Sequence, residues 1–468
     1  MHRKALLLAA SLLLASQASA KSPAPRPDEV EFRSLYKELV ETNTTLSVGS
    51  CTDAAAKMGR RLKAAGFADS ELTTFAAPDH PREGGLVAKL PGSDASLKPI
   101  LLLAHIDVVE ANKEDWTRDP FKLTEENGFF FARGSADDKA QAAIWTDTLI
   151  RLRQAHDVPK RGITMALTCG EEGAPFNGAK WLAQNRPDLI AAEFALNEGG
   201  GGMLDAAGNR QMLLIQAGEK AARDFKLEVT NPGGHSSRPM PDNAIYDLAK
   251  ALSAVQSLDF PVRLNDTTRG FLAHTAAKTG GKMGAAITAL LANPKDAQAE
   301  KTVSSDPTFH TMLKTTCVAT LISGGHAANA LPQRATANIN CRIIPGDTTE
   351  ATQAALVQAI GNPKVAVSLT GNTRPMAKLP PLTPAILGPA EELGKKYFPG
   401  VPLIPVMISG ATDATYIGLV DVPTYGVPGI FVEPDFNGLH GLNERMRVRS
   451  LMEGRDYLFD LVKAYAAQ

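Results

Sequence analysis

The sequence predicts an α/β fold with a mostly parallel sheet, into which a smaller α+β unit is inserted. Short continuous apolar runs at 99–104, 162–168 and 402–408 have the composition of strands that are buried on both faces. Segments with a helical spacing of apolar residues follow these runs, and strands that alternate with helices are typical of a parallel sheet covered on both sides. Between about 219 and 372 the strands instead alternate apolar and polar residues, as strands with one exposed face do.

Composition places the chain among globular proteins and gives no support to a nucleic-acid partner. Of the 468 residues, 44% are hydrophobic and 21% are charged. The 49 Lys and Arg residues nearly balance the 50 Asp and Glu residues, so the formal charge is −1, and the chain has no basic tract. An oligoanion partner would require such a tract, because basic side chains supply most of the electrostatic binding energy.

The first twenty residues have the features of a secretory signal peptide. Arg3 and Lys4 form a short positive region, residues 5–15 are apolar, and residues 18–20 (Ala-Ser-Ala) offer a cleavage site. The apolar run is shorter than the ~20 residues that a membrane span needs. We therefore expect an exported protein, periplasmic or secreted, that has no membrane attachment after cleavage. An uncleaved membrane anchor is the alternative.

The change of pattern divides the rest of the chain into two domains. We expect one α/β domain, formed by residues 21–218 and 373–468, and the inserted unit over 219–372. Within the inserted unit the sequence predicts, in chain order, a helix over 243–258, a hairpin around 316–344, a helix over 350–360 and a strand over 364–369. Residues 265–312 fit these patterns poorly and are interpreted as an enlargement of the inserted unit.

Four cysteines in an exported chain can form disulfides. Cys317 and Cys341 lie in two predicted strands, and an antiparallel pairing could bring them opposite each other. A disulfide between them and a pair of free buried thiols remain as alternatives. Cys169, at the end of an apolar strand beside two glutamates, is interpreted as a buried thiol, and Cys51 has no informative neighbours.

Polar residues suited to chemistry follow the predicted strands of the α/β domain. In chain order these are His105 and Asp107, Asp137, the adjacent Glu171 and Glu172, and Glu198. Ligands in open α/β sheets bind outside the carboxyl ends of the strands. A single carboxylate at a strand end more often caps a helix or faces solvent, whereas a His-x-Asp pair followed by three acidic segments predicts a metal site.

The spacing within these groups indicates a role for each residue. His105 and Asp107 lie two residues apart, so Asp107 can hold one imidazole nitrogen while the other nitrogen binds a metal. The adjacent carboxylates of Glu171 and Glu172 repel each other, and the usual resolution is that one binds a cation while the other exchanges a proton. This combination predicts a metal-dependent hydrolase in which a carboxylate takes a proton from water.

The ordered motifs of the chain resemble those of the co-catalytic zinc peptidases of family M20, clan MH. The motifs that carry the resemblance are HID, ARGSADDK, CGEEG, LNEGG, PGGHSS, GGHAANALPQRATANINCR, SGATDA and LHGLNE. They run from about residue 100 to about residue 445, and the ordered set is far more specific than any one motif. The family includes carboxypeptidase G, aminoacylase, succinyl-diaminopimelate desuccinylase and Gly-X carboxypeptidase. The resemblance implies a catalytic α/β domain interrupted by a lid domain, through which members commonly dimerise.

The resemblance also implies two zinc ions, for which Co²⁺ or Mn²⁺ would be substitutes. The ligands that it implies are His105, Asp137, Glu172, Glu198 and His440. His105 and Glu198 would hold one ion, Glu172 and His440 the other, and Asp137 would bridge both. Members of the family often have a cis peptide bond after the bridging aspartate, here Asp137–Asp138. Glu171 would be the general base, and Asp107 would clamp His105.

The resemblance implies further roles around the substrate. His235 of PGGHSS, in the lid, would stabilise the oxyanion, often in the active site of the partner subunit. Asn329 and Arg342 would fix the carboxylate of the substrate, since a guanidinium fork suits a planar carboxylate. Gly410 of SGATDA would lie beside the substrate. The chain departs from the family at Ala140, where glycine is common, and no departure removes a ligand.

These observations predict a di-zinc exopeptidase, either a carboxypeptidase or a dipeptidase, that hydrolyses an amide bond next to a free α-carboxylate. The alternative is a deacylase of N-acyl amino acids, which needs the same machinery. A catalytically inactive binding module is a third interpretation, and Glu171 together with five intact ligands argues against it. A serine hydrolase is unsupported because the chain has no G-x-S-x-G elbow. The expected partners are a small peptide or N-acyl amino acid and a second copy of the chain.

Overall fold

The computed structural model describes residues 26–173, 175–371, 374–376 and 378–468. The signal peptide expected over 1–20 lies outside these residues. Within them, no helix is both long enough and apolar enough to cross a bilayer.

Seventeen strands form within the described residues. They are β1 (Leu72–Ala77), β2 (His80–Leu90), β3 (Ile100–His105), β4 (Thr124–Glu126), β5 (Phe129–Phe131), β6 (Ile163–Thr168), β7 (Ala195–Leu204), β8 (Arg210–Glu219), β9 (Ala221–Thr230), β10 (Gly234–His235), β11 (Thr316–Gly324), β12 (Ala330–Leu331), β13 (Arg334–Ile343), β14 (Val365–Thr370), β15 (Leu403–Ile408), β16 (Thr424–Val432) and β17 (Arg445–Arg447). They form one large sheet, one four-stranded sheet and two small sheets, β17-β5-β4 and β10-β12.

Fourteen α-helices accompany these strands in the described part of the chain. They are α1 (Pro27–Val40), α2 (Cys51–Ala64), α3 (Lys139–Gln154), α4 (Gly178–Asn185), α5 (Pro187–Ile190), α6 (Ala244–Ser257), α7 (Asp266–Thr279), α8 (Gly281–Ala292), α9 (Ala297–Val303), α10 (Pro307–Leu313), α11 (Thr349–Ile360), α12 (Pro384–Tyr397), α13 (Ala414–Ile417) and α14 (Val448–Ala466). Several begin at a capping side chain: Ser50 accepts from the N–H of Asp53 at the start of α2, and Asn177 accepts from the N–H of Lys180 at the start of α4.

The large sheet has the strand order β1-β2-β6-β3-β7-β16-β8-β15. Its central pairs β6–β3, β3–β7 and β7–β16 are parallel, as is the edge pair β8–β15. The strands β1 and β2 add an antiparallel edge, and β7 also pairs antiparallel with β8. The predicted α/β class with a mostly parallel sheet is therefore confirmed. Because β3, β6 and β7 run in one direction, the residues that follow them meet at one edge of the sheet.

Helices cover both faces of the large sheet, which explains the continuous apolar run of β3. Leu102 and Ala104 pack into a buried cluster with residues of α1, α2, α3 and α14. Leu101 and Leu103 belong to a second cluster, on the other face, with residues of α4 and α5. Because successive side chains of a strand alternate between faces, a strand that is covered on both sides is apolar at every position.

The four-stranded sheet is antiparallel, in the order β11-β13-β9-β14. Alternate residues of β9 are buried, and Phe225, Leu227 and Val229 pack in one cluster with residues of α6 and α11. The helices α6 and α11 and the strand β14 begin and end within one residue of the predicted limits. The chain enters this sheet at β9 and leaves it at β14, so we retain 219–372 as the proposed extent of the lid domain.

Both cysteine pairs are disulfide-bonded. Cys317 and Cys341 lie opposite each other in β11 and β13, and the disulfide was one of the two alternatives for this pair. The interpretation of Cys169 as a buried thiol is wrong, because Cys169 bonds to Cys51 at the start of α2. This bond ties α2 to the loop that follows β6. The two cysteines are 118 residues apart, and no local pattern could link side chains so distant in the chain.

Residues 265–312 form α7 to α10 and differ from the expected enlargement of the lid. Helix α7 packs on β15, the edge strand of the large sheet, and a Cβ atom on Gly270 would lie 2.5 Å from Cγ of Pro405. The hydroxyl of Thr267 donates to the carbonyl oxygen of Ala217 in β8, at 2.8 Å. The helices also share a buried apolar cluster of their own. The segment lies within 219–372 in the chain, yet α7 packs against the edge of the large sheet.

Candidate metal centre

The strand β3 ends at His105, whose imidazole is almost fully buried. Nδ1 lies 3.1 Å from the carbonyl oxygen of Asp107. A carbonyl oxygen only accepts, so with a cation bound the Nδ1–H would donate to it and Nε2 would be the nitrogen that binds the cation. Nε2 lies 3.0 Å from Oδ1 of Asp137 and 3.8 Å from Oε2 of Glu198. The strand therefore presents an imidazole nitrogen to two carboxylates, in an arrangement that a cation would fit.

The side chain of Asp107 makes further contacts besides the one expected with His105. Its nearer carboxylate oxygen is 3.5 Å from Nδ1 of His105, and the backbone carbonyl oxygen is closer. The carboxylate also accepts from the backbone N–H groups of Glu171 and Glu172, at 3.3 and 3.0 Å. Burial acts to raise the pKa of Asp107, but His105 and these hydrogen bonds hold it below its usual value. Asp107 thus orients His105 through its carbonyl oxygen and holds the loop after β6 through its carboxylate.

Asp137, in the loop before α3, lies between two imidazoles. Oδ1 faces Nε2 of His105 at 3.0 Å, and Oδ2 faces Nε2 of His440 at 3.2 Å. Nε2 of His440 is also 3.1 Å from Oε1 of Glu172. Hydrogen bonds with Asp137 and Glu172 raise the pKa of His440 to about 10. The Asp137–Asp138 peptide bond is cis, as the resemblance implied.

The loop that carries His440 is fixed by Glu444, a residue to which the sequence analysis gave no role. The buried carboxylate of Glu444 accepts from three backbone N–H groups in residues 134–137, at 2.8 to 3.1 Å. It also pairs with Nη1 of Arg133 at 2.8 Å. Glu444 therefore joins the loop of His440 to the loop of Asp137. Its place at the end of the LHGLNE motif is the one sequence signal that pointed to it.

The donor atoms fit two divalent cations. Among the described residues, three groups have ligand atoms within 4.8 Å of one another, and one of them, Cys51, Asp107 and Cys169, contains a disulfide bond. The other two are His105, Asp137 and Glu198, and Asp137, Glu172 and His440. These two groups share Asp137 and offer imidazole nitrogens and carboxylate oxygens, which are ligands that zinc accepts. Burial raises the pKa of Glu198, and the nearby carboxylate of Asp137 adds to this effect. Bound cations would offset this repulsion between buried carboxylates.

Glu171 lies beside the predicted ligands but belongs to neither group. Burial raises the pKa of Glu171 to about 8, and the nearby Glu198 acts in the same direction. Arg374 opposes this shift, because its Nη1 lies 2.6 Å from Oε1 of Glu171 and its Nη2 donates to the carbonyl oxygen of the same residue. A partly desolvated carboxylate with a pKa near neutrality has the properties of a general base. Arg374 is an isolated arginine outside every motif, and sequence analysis missed it.

The exposed loop at Gly410 lies between two arginine contacts. The carbonyl oxygen of Ser409 accepts from Nη1 of Arg342 at 3.3 Å, and that of Ala411 accepts from Nη1 of Arg374 at 3.4 Å. Both arginines and Ala411 line one cavity of about 300 Å³. The structure thus brings Arg342 next to the loop of Gly410, and it brings both guanidinium groups to one cavity.

His235 and Asn329 lie together in the lid, away from these contacts. The strands β10 and β12 pair, and the N–H of Ser236 donates to the carbonyl oxygen of Asn329 at 3.0 Å. Nδ1 of His235 accepts from the N–H of Ser237 at 3.2 Å, so Nε2 carries the proton of the neutral ring. Among the described residues, no hydrogen bond or ion pair joins the side chain of His235 or Asn329 to the predicted metal ligands.

Comparison with protein families gives one match over most of the chain. Residues 101–464 match the sequence model of Peptidase family M20/M25/M40. Among individual proteins, the chain is similar to the N-fatty-acyl-amino acid synthase/hydrolase PM20D1 of Homo sapiens. The two are 26% identical over 483 residues, and the alignment covers 98% of this chain and 95% of the human protein.

Solved structures with the same fold include two peptidases. The M20 family metallo-carboxypeptidase Sso-CP2 from Sulfolobus solfataricus superposes with a TM-score of 0.67 and 18% identity, over 94% of this chain and 100% of that chain. The di-peptidase Dug1p from Saccharomyces cerevisiae superposes with a TM-score of 0.61 and 17% identity, over 94% of this chain and 96% of that chain. At these identities the two structures support the fold alone.

Proposed function

The chain belongs to peptidase family M20/M25/M40, and from this premise we propose that it hydrolyses an amide bond next to a free α-carboxylate. As a member of this family it is a metal-dependent peptidase or amide hydrolase. The observation that carries the proposal is the pair of ligand groups that share Asp137, with Glu171 beside them. A carboxypeptidase or a dipeptidase cleaves such a bond, and Sso-CP2 and Dug1p bear these names.

Two zinc ions are the proposed cofactors, with Co²⁺ or Mn²⁺ as substitutes. His105 and Glu198 would hold one ion, Glu172 and His440 would hold the other, and Asp137 would contribute a ligand to both. The short distances from Asp137 to both imidazoles and the shared carboxylate of the two ligand groups support this assignment. When bound, zinc would supply Lewis acidity for the scissile carbonyl group and would lower the pKa of a bound water.

Glu171 is the proposed general base. Its carboxylate takes the proton of the attacking water and later delivers it to the nitrogen of the leaving amine. Its side chain is about nine-tenths buried, so little bulk water competes for that proton. Asp107 supports this role through the hydrogen bonds that its carboxylate accepts from the backbone of the loop.

Arg342 is the proposed contact for the carboxylate of the substrate. The resemblance pairs it with Asn329, which lies beside His235 and not in the cavity of Arg342, so Asn329 would reach a substrate carboxylate together with His235. Arg342 lines the cavity next to the loop of Gly410, and within the described part of the chain its side chain makes one hydrogen bond, to the carbonyl oxygen of Ser409 at 3.3 Å. A planar fork with free N–H groups suits a carboxylate in bidentate contact. Gly410 has no side chain, so a substrate could approach its backbone closely.

The lid is also the proposed surface of a homodimer. The strand β11 is an edge strand of the lid sheet, and it exposes Val318, Leu321 and Ile322 at 58, 71 and 70%. An apolar edge strand with unpaired backbone groups favours pairing with another chain. A second copy supplies a matching edge by two-fold symmetry.

A dimer would account for the position of His235. Its side chain is exposed and makes no contact with the predicted ligands of its own chain. The Nε2–H of its neutral ring is oriented by Ser237 and is available to an oxyanion in the active site of the partner subunit. We therefore assign oxyanion stabilisation to the partner copy of His235.

A deacylase of N-acyl amino acids is the second candidate function. The name of the human relative, N-fatty-acyl-amino acid synthase/hydrolase, favours this candidate. The two ligand groups, Glu171 and Arg342 would serve both reactions, because each breaks an amide bond next to a free α-carboxylate. The two functions differ in the group on the acyl side of that bond.

Export to the periplasm or the medium is proposed from residues 1–20 and from the two disulfides. Disulfides form and persist in oxidising compartments, and the sequence places a cleavable signal before the first described residue. Mass spectrometry of the N-terminus after fractionation tests this proposal. Cleavage after Ala20 and recovery outside the cytoplasm are expected, and an intact N-terminus in the cytoplasm would contradict it.

A substrate panel tests the proposed function. Dipeptides, longer peptides and N-acyl amino acids are incubated with the holoenzyme, and amine release is measured before and after removal of metal by a chelator. Release from one of these classes, lost on chelation and restored by zinc, is the expected result. Turnover by a protein shown to be free of metal would contradict the proposal, and inactivity on every amide would favour a binding module.

A further inference from the structure

Arg374 makes a two-point contact with Glu171. Nη1 lies 2.6 Å from Oε1 of the carboxylate, and Nη2 donates to the backbone carbonyl oxygen of the same residue. The first contact fixes the direction of the side chain, and the second fixes the guanidinium plane relative to the loop. Charge-assisted hydrogen bonds of this kind are stronger and more directional than neutral ones.

The pair is more sheltered than a surface ion pair. The side chain of Glu171 is 11% exposed and that of Arg374 is 26% exposed. Surface pairs contribute little to stability because water and salt screen them, whereas a partly buried pair holds its geometry. The contact therefore restricts the orientations that the carboxylate can adopt.

The backbone of Arg374 is held by the lid. Its carbonyl oxygen accepts from Nη2 of Arg223 at 2.8 Å, and Arg223 lies in β9, the strand through which the chain enters the lid sheet. Arg223 is nearly buried, and its Nε donates to the hydroxyl of Thr349 at the start of α11. A chain of hydrogen bonds thus runs from α11 through β9 to the carboxylate of Glu171.

We propose that Arg374 is a positioning residue, which holds the carboxylate of Glu171 toward the proposed metal centre. Through the hydrogen bond from Arg223 it also fixes the position of this carboxylate relative to the lid strand β9. This proposal rests on the proposed role of Glu171 as the general base. Arg342 differs, because the hydrogen bond that its side chain makes among the described residues is to the carbonyl oxygen of Ser409, and the side chain lines the cavity. The two arginines therefore have separate roles: Arg342 binds the substrate and Arg374 orients the base.

The competing role for Arg374 is direct contact with the carboxylate of the substrate. In that case the guanidinium group would have to leave Glu171 when substrate binds. The two roles predict different kinetics, because a substrate contact acts on KM for free-carboxylate substrates, and a positioning contact acts on kcat for every substrate.

The test uses Arg374→Met and Arg374→Lys with a matched pair of substrates, an N-acyl amino acid and its C-terminal amide. For Arg374→Met, kcat should fall by about 10²-fold on both substrates, since a misplaced catalytic group costs that much, and KM should stay within about twofold. The Lys variant keeps one donor and should recover part of the loss. Added guanidinium ion should partly restore an Arg374→Ala variant.

Two matched controls accompany these variants. Arg342→Met should raise KM on the free-carboxylate substrate alone. Arg334→Met removes an arginine of the lid sheet that pairs with Glu228 on the surface, and it should leave both constants unchanged. Metal content and the unfolding temperature of each variant show whether a loss of activity reflects a damaged fold. If Arg374→Met proves to be misfolded, the activity of the Lys variant and the rescue by guanidinium ion test the role of Arg374 instead.

A double-mutant comparison with Glu171→Gln separates the two proposals. Once Glu171 has lost its function, Arg374→Met should reduce the residual rate by no more than about twofold. Full activity of Glu171→Gln would overturn the general base and the role of Arg374 together. A strong loss in Glu171→Gln with wild-type kcat in Arg374→Met would overturn the role of Arg374 alone. A rise in KM confined to the free-carboxylate substrate would also overturn it.

Discussion

Oδ2 of Asp137 lies 3.2 Å from Nε2 of His440, although 303 residues separate the two in the sequence. The contact joins the two proposed ligand groups, because the other oxygen of Asp137 faces His105. His440 is on an exposed loop, and the buried Glu444 holds this loop against the backbone that leads to Asp137. The second ligand group therefore depends on a carboxylate that binds no metal itself.

Replacement of Glu444 by Gln should release the loop of His440. Gln turns one acceptor oxygen into a donor that faces backbone N–H groups, and it leaves Arg133 without its charged partner. We expect zinc affinity at the second group to fall about 10–100-fold and stability to fall by about 3–5 kcal/mol, as for a broken buried ion pair. Metal analysis under limiting zinc and denaturant unfolding measure these effects. Two tightly bound ions and wild-type stability would contradict the assignment.

Stability should depend on pH through Glu219. Burial raises the pKa of Glu219 to about 7, and hydrogen bonds from Thr412 and Gln216 only partly oppose this. The pKa of Glu219 is higher in the folded state than in the unfolded state. Its contribution to the free energy of unfolding is therefore complete below about pH 4.5 and is lost as the pH rises through 7. A shift of this size corresponds to on the order of 3 kcal/mol.

A Glu219→Gln variant isolates this contribution, because Gln cannot ionise. The unfolding free energy of the wild type minus that of the variant should be smaller at pH 8 than at pH 5. Denaturant unfolding of both holoenzymes at the two pH values measures it. Parallel pH profiles for the two proteins would show that Glu219 titrates normally.

The two disulfides should contribute unequally to stability. The bond between Cys51 and Cys169 spans 118 residues, and the bond between Cys317 and Cys341 spans 24. In the chain-entropy model the longer loop contributes about 1.4 kcal/mol more than the shorter one, about 4.9 against about 3.4 kcal/mol. Paired Cys→Ser variants, compared by denaturant unfolding, test this order. Removal of the longer bond should also lower activity, because Cys169 lies two residues before Glu171, and an unaffected kcat would argue against that link.

Subunit complementation tests the dimer and the role of His235. Chains with His235→Ala and chains with Glu171→Gln should each be inactive alone. Their mixture should regain about a quarter of wild-type activity, since half of the reassorted dimers are mixed and each has one intact site. Leu321→Glu on β11 should prevent both dimerisation and rescue. Failure to rescue after proven subunit exchange would leave His235 acting within its own chain or not at all.

Sequence reasoning predicted that the polar side chains after the apolar strands lie close together because parallel strands end at the same edge of a sheet. Parallel strands bring His105, Glu171 and Glu198 to one edge of the sheet, so a polar residue after each apolar run was sufficient to predict proximity. The resemblance supplied His440, whose loop no periodic pattern could place. The division of the fold into two sheets followed equally from the change between continuous and alternating apolar patterns.

Other features of the molecule had no local signal. The bond between Cys51 and Cys169 depends on how α2 packs beside β6, and Arg374 reaches Glu171 across 203 residues. Residues 265–312 form helices whose apolar faces pack mainly on one another and on β15, so their sequence did not reveal which domain they join. At Asp107 the sequence predicted contact with His105, but it did not predict that the backbone carbonyl oxygen of Asp107 would be the closest atom to the imidazole.

The most direct test of the account is Glu171→Gln, measured for metal content and turnover together. Gln keeps the size of the side chain but cannot accept the proton of water. The account predicts two zinc ions per chain, as in the wild type, and a fall in kcat of at least ~10²–10⁴. Wild-type turnover by a fully metal-loaded Glu171→Gln protein would contradict it.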